Sequence, residues 1–223
     1  MRKLALLIAL IAAIAVIPAP AQNGNIVYNN GMLPCDQDGC IDAWEISDGI
    51  VTSDSIFLTA NARVTGFDIW TWEFPTDRVL RLQWSITSSE NGGTVYASGS
   101  TLVQDHFIAV NEYGFDIDKV TLTGLDVNLP GGEYWLNLTN AITAQHDPVY
   151  WDENSGTGCH SPGCPSQAFN TQIVGTIPSE TFDVRGIYQH DGDQQGKAPT
   201  PGTLFVVTSG LLGLAVTIRR RVL

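Results

Sequence analysis

The clearest periodic signal in the chain lies over residues 79–88, where apolar and polar positions alternate. Leu80, Leu82, Trp84 and Ile86 fall on one side, and Arg81, Gln83, Ser85 and Thr87 on the other. Successive side chains of a strand point to opposite faces, so this pattern predicts a half-buried antiparallel strand. Weaker alternation over 55–59, 63–74, 94–98, 107–110, 120–122, 133–139 and 181–187 predicts further strands. Turn residues separate them at Asn91-Gly92-Gly93, Glu112-Tyr113-Gly114 and Pro130-Gly131-Gly132. Helical periodicity is nearly absent between Gln22 and Lys197. About eight short strands with Gly and Pro punctuation predict an all-β fold, an antiparallel β-sandwich of jelly-roll-like kind. The longest stretch without a strand pattern is 152–170. Residues 189–202 are polar and rich in Gly and Pro, and read as a linker.

The two ends follow a different rule. Arg2 and Lys3 precede an uncharged apolar run over 4–17, and Ala19-Pro20-Ala21 supplies small residues at cleavage spacing. That order predicts a signal peptide over 1–21, cut between Ala21 and Gln22. At the other end, 203–218 carry no charge and lead into Arg219, Arg220 and Arg221. As a helix, 204–218 would span roughly 22–24 Å, short against a bilayer core of ~30 Å unless the arginines snorkel. The arginine cluster favours the cytoplasmic side, which leaves the preceding domain outside. The organisation expected is therefore a leader (1–21), a sandwich domain (22–188), a linker (189–202) and a hydrophobic sorting helix with its Arg cluster (203–223).

The tail resembles the PEP-CTERM sorting signals of Gram-negative bacteria. The resemblance rests on SGLLGLA at Ser209 to Ala215, the terminal arginines and the motif Pro199-Thr200-Pro201, in which Thr200 stands where the family has Glu. It covers about a tenth of the chain. It implies export through the secretion machinery and handling by a membrane-embedded exosortase. The protein would then reach the cell surface or extracellular matrix, with membrane insertion through the tail either transient or retained. The blocks GGEYWLNLTNA, PVYWDENSG and VGTIPSETFDV resemble the extracellular domains that often precede such tails. This implies an exported sandwich, associated with exopolysaccharide, and no defined activity.

Charge narrows the partners. The whole chain carries −12; removing both ends leaves six basic against 23 acidic residues, a net charge of −17. A surface this acidic excludes nucleic acid, whose phosphates require Lys and Arg, and disfavours anionic lipid. It suits a soluble exported domain or one that collects cations. The four cysteines fall into two close pairs, Cys35 with Cys40 and Cys159 with Cys164, each around a turn sequence. In an exported chain these read as two local disulfides, with the other pairings open.

Candidate chemistry is sparse. Trp70, Trp72 and Phe74 share one face of their strand, and Phe67, Ile69 and Thr71 the other. One set must be core, and the other is free to stack on sugar rings. Trp70, Trp72 and Trp151 are thus the candidate glycan contacts, Trp151 because it opens an acidic loop. Asp36, Asp38 and Asp42 offer carboxylates for calcium, although the EF-hand register fails at Pro34. No other cofactor is expected. His106, His146, His160 and His190 are scattered, with neither G-x-S-x-G nor H-E-x-x-H near them. The expected function is that of a non-catalytic surface or matrix protein, with a carbohydrate-binding module as the second reading.

Overall fold

The computed structural model describes residues 25–31, 42–154, 156 and 158–189. The leader, the sorting motif and the Arg cluster lie outside these residues. So do Asp36 and Asp38 of the expected calcium set. The expected disulfide between Cys35 and Cys40 also lies outside them, and the only bridge among the described residues is the one between Cys159 and Cys164.

The chain is all-β. Its strands are β1 (Asn25–Asn29), β2 (Ala43–Glu45), β3 (Val51–Leu58), β4 (Ala62–Glu73), β5 (Val79–Ser89), β6 (Gly92–Leu102) and β7 (Gln104–Val110). They continue with β8 (Asp116–Leu129), β9 (Gly132–Thr143), β10 (Tyr150–Asp152), β11 (Ala168–Asn170), β12 (Gly175–Ile177) and β13 (Phe182–Tyr188). Among the described residues no helix is long and apolar enough to cross a membrane. The compact unit ends at Tyr188.

Two antiparallel sheets pack face to face. One is six-stranded, in the order β12-β11-β3-β9-β5-β6. The other is seven-stranded and centred on β4, with β8 and then β7 on one side. The other side of β4 is shared. β13 pairs with Ala62 to Ile69, and β10 pairs with Thr71 and Trp72. β1 extends the sheet beyond β13, and β2 beyond β10. The core lies between the sheets, where Phe67, Ile69, Val120 and Leu122 meet Ile56, Leu82, Trp84, Leu136 and Leu138. The rings of Phe67 and Trp84 approach across the layer at 6.4 Å. Each such side chain contributes about 1.5–3 kcal/mol by leaving water.

A bulge in β4 decides which residues face the core. The pairing with β8 shifts between Val64 and Gly66. Ala62 and Val64 are buried before the shift, and Phe67 and Ile69 after it. The outward set beyond the bulge is therefore Asp68, Trp70 and Trp72. Gly66 is required there, because a Cβ would run into the carbonyl oxygen of Leu122.

β5 follows its alternation except at its start. A register shift after Val79 turns that residue inward, at 2% exposure, and leaves Leu80 outside at 48%. Leu82, Trp84 and Ile86 are buried as expected. The pattern over 120–122 extends into the longest strand, β8. The stretch 152–170 starts on the last residue of β10 and holds one short strand, β11, at its end.

Candidate functional site

Outside the main core, at the far end of β4, a second aromatic cluster covers the outer face of the seven-stranded sheet. Trp72 is its centre, with Ile117 from β8 and Tyr150 from β10 directly opposite across the ladder. The turn between β7 and β8 adds Tyr113 and Phe115. Asn111 shapes that turn, its Oδ1 accepting from the backbone N–H groups of Tyr113 (3.0 Å) and Phe115 (2.9 Å). Such an Asx arrangement fixes the turn backbone without a ladder. It lays the Tyr113 ring over Trp72, with centroids 5.7 Å apart and planes inclined by 26°. Phe115 contacts Trp72, Phe74 and Tyr150 at 5.8, 5.1 and 6.0 Å. Tyr113 is 61% exposed and Phe74 37%, so the cluster presents aromatic surface to solvent.

Lys119 closes one flank. Its ammonium sits 5.2 Å from the centre of the Trp70 ring and 3.0 Å from Asp68. Burial pushes the Asp68 carboxyl up, but hydrogen bonds from Arg185, Thr121 and Lys119 outweigh it and hold Asp68 below its usual range.

The tryptophans singled out in the sequence therefore have three different fates. Trp70 is half-buried beneath Lys119. Trp72 is 7% exposed and acts as the base of the cluster. Trp151 faces the other way and is no surface contact. It is fully buried in the main core, edge-on to Phe182 at 5.5 Å, and its Nε1 donates to the Thr181 carbonyl at 3.0 Å. The cause is strand alternation in β10, which turns Tyr150 out and Trp151 in. Sequence reasoning passed over Tyr113, the most exposed ring of the cluster, because Glu112-Tyr113-Gly114 read only as a turn.

Behind this cluster, on the inner face of the same strands, three carboxyl groups converge. Glu73, Asp105 and Asp118 come from β4, β7 and β8, and their oxygens lie within 4.8 Å of one another. Thr71 Oγ1 donates to Glu73 at 2.8 Å. The Val79 N–H reaches Glu73 at 3.1 Å and Asp105 at 2.7 Å. Burial and mutual repulsion raise Glu73, and burial raises Asp105. Burial, with Asp105 and Asp116 nearby, pushes Asp118 up to about 7. Three oxygen ligands at this spacing can hold a hard cation. They can equally share protons among themselves, with Arg78 moderating Asp105 and Asp118.

Two more buried acids are Asp54 on β3 and Asp152 on β10. Asp54 accepts from Ser166 Oγ, from Ser179 Oγ at 3.2 Å and from the Glu180 N–H at 2.6 Å, and burial still lifts it to about 8. Asp152 accepts from the Trp72 indole, and burial lifts it to about 8 as well. Asp42, from the calcium set, is exposed, and its Oδ1 caps the Ala43 N–H at 2.8 Å. Cys159 and Cys164 form a disulfide, with Cα atoms 5.6 Å apart. Of the two bridges expected from the sequence, this one is seen; Cys35 and Cys40 are not among the described residues. His106, His146 and His160 are on no shared site among the described residues.

The outer face of the six-stranded sheet is polar. A groove of about 420 Å³ there is lined by Gln83, Ser85, Asn91, Ser98, Ser100 and Asn137. Asn137 heads a formal glycosylation sequon, yet it is 4% exposed. Its amide is taken up by Ser53, Asn91 and Thr87 at 2.6–2.8 Å. No protein-family model and no curated protein matches this chain.

Proposed function

We propose that this chain is an exported, non-catalytic surface or matrix protein whose sandwich engages extracellular polysaccharide through the aromatic cluster on β4. The observation that carries this reading is the exposed Tyr113 ring laid over Trp72, beside the half-exposed Phe74. Aromatic faces of this kind pack against the C–H faces of pyranose rings, and a buried Trp beneath keeps the outer ring from collapsing. The scaffold is read as jelly-roll-like because successive strands pass repeatedly from one sheet to the other. The signal peptide, the exosortase-type tail and the surface destination rest on the sequence alone. The −17 domain is consistent with a neutral or cation-bridged glycan and argues against an anionic membrane as the docking partner.

A glycan array probed with the whole chain tests the reading, with Tyr113→Ala as the paired variant. Binding that falls at least tenfold in Tyr113→Ala, at unchanged melting temperature, supports it. Absence of binding to every neutral and acidic polysaccharide on the array would sink it. Mass spectrometry of the exported protein tests the sorting: a start at Gln22 and an end upstream of Leu204 are expected.

A further inference from the structure

Exposed apolar side chains are spread unevenly over the domain. Of the 14 large ones among the described residues, six fall on β6 and β7: Val95, Tyr96, Leu102, Phe107, Ile108 and Val110. Val103 alone separates these two strands. β6 ends the six-stranded sheet and pairs with β5; β7 ends the seven-stranded sheet and pairs with β8. Two open strand edges thus coincide with a concentration of exposed apolar side chains where the chain crosses between the sheets. Such a grouping marks an interaction surface.

The two edges differ in how they are guarded. Open edges are usually blunted by charge, proline, a bulge or shortness. β7 carries Asp105 and His106, and its pairing shifts between Phe107 and Ala109. β1, β2 and β12 have only five, three and three residues. β6 has 11 residues, none of them charged and none proline. Its register shifts lie at the turn end, before Ala97. From Ala97 to Leu102 it pairs without a break with Ile86 to Arg81, and its other side meets no strand among the described residues. Arg81 reaches onto this run, its Nη1 donating to the Ser100 carbonyl at 3.2 Å, but a bond so exposed is given up at little cost.

We propose that β6 is a self-association edge, pairing antiparallel along 97–102 with β6 of a second copy of this chain. Charge selects that occupant. With 23 acidic residues against six basic ones in the domain, two copies repel over most approaches. Along β6 they can meet without setting like charges opposite one another. A two-fold axis makes the two strands antiparallel, so the same residues serve both sides of the contact. The far edge of the same sheet, β12, has only three residues, so the contact closes at a dimer and does not run on into a fibre. The two six-stranded sheets become one continuous sheet, and Leu102, 69% exposed in the single chain, lies at the seam. The proposal does not depend on the polysaccharide reading, since edge pairing requires no glycan.

The test is sedimentation of the whole chain over a concentration series, with hydrogen exchange of the β6 amides beside it. The wild type should sediment at about twice the monomer mass at roughly 100 µM and return to the monomer on dilution. Amides within 97–102 should exchange at least about tenfold more slowly in the concentrated sample than in the dilute one. Ser98→Lys places an ammonium on each side of the seam; it should weaken association at least about tenfold and abolish the added protection. If Ser98→Lys does not fold, Leu102→Lys serves in its place with the same expectation. Val174→Lys, on the turn before β12 at the opposite edge of the sheet, should associate as wild type. The proposal is overturned if the wild type stays monomeric at that concentration, or if the Ser98 and Leu102 variants associate normally. It is equally overturned if Val174→Lys alone dissociates, or if the added protection falls outside β6.

Discussion

The indole nitrogen of Trp72 donates a hydrogen bond to the carboxyl of Asp152, tying the base of the outer aromatic cluster to a buried acid on β10. The bond runs between adjacent strands, and Asp152 is followed directly by Glu153. Removing the N–H should therefore loosen both. Trp72→Phe keeps an aromatic side chain, smaller than the indole, but takes one donor from Asp152, and should cost about 1–3 kcal/mol in urea unfolding. A variant as stable as wild type would show that the bond does not organise the cluster.

Stability should fall as pH rises through neutrality in the presence of chelator. Asp54, Asp118 and Asp152 all have carboxyl groups raised to about 7–8 by burial, and Glu73 is raised too. A raised acid binds more protons folded than unfolded. Its contribution is full below about pH 4, the unfolded carboxyl range, and is lost as pH passes the folded value. The melting temperature should thus decline between about pH 5 and 9. Asp118→Asn should flatten part of that decline. Asp68 and Asp77 are lowered and act oppositely, weakening the fold only as pH drops through the acid range. A flat profile over pH 5–9 would mean these carboxyl groups stay ionised in the fold.

Gly66→Ala should be severe for a one-carbon change. The added Cβ meets a backbone oxygen of the neighbouring strand, which cannot rotate away. A loss of about 3 kcal/mol or more is expected, against about 1 kcal/mol for an ordinary exposed site. Equilibrium denaturation decides it.

The Cys159–Cys164 bridge closes a small loop that reaches two structural partners. Ser161 Oγ accepts from the Asn29 N–H at 2.9 Å, and Ser166, just past the loop, donates to Asp54. The double variant Cys159→Ser/Cys164→Ser should lose about 2 kcal/mol, in line with a loop this short. Protease susceptibility confined to 158–166 should rise before the melting temperature collapses.

Local alternation made much of this architecture readable. The period-2 run over 79–88 identified β5, because one of its faces is buried and the other is not; β4 was legible over 63–74 although both of its faces are largely buried beyond the bulge. The exceptions were bulges, and neither the shift after Val79 nor the one before Gly66 leaves a mark in the hydrophobic pattern. Strands of three residues, such as β2 and β10, are too short to show a period, which is why Trp151 could not be oriented from sequence. The carboxylate sets were hidden for another reason. Glu73, Asp105 and Asp118 lie far apart in the chain and meet only through the β4–β8–β7 pairing. The local disulfide at Cys159 and Cys164 needed no such knowledge, since its partners are five residues apart.

β1 begins beside the end of β13, with Asn25 paired to Gly186, while Tyr188 pairs with Ala62 at the start of β4. The chain thus enters and leaves the domain at one end, and the aromatic cluster around Trp72 lies at the other, roughly 33 Å away along β4. If a polymer pulled on Trp72 while the chain was held beyond Tyr188, β4 and β13 would be drawn in opposite directions along their own axes. Every pair from Ile69–Phe182 to Ala62–Tyr188 would then bear load at once, sheared together rather than unzipped one by one. That is the geometry of a coupling suited to tension.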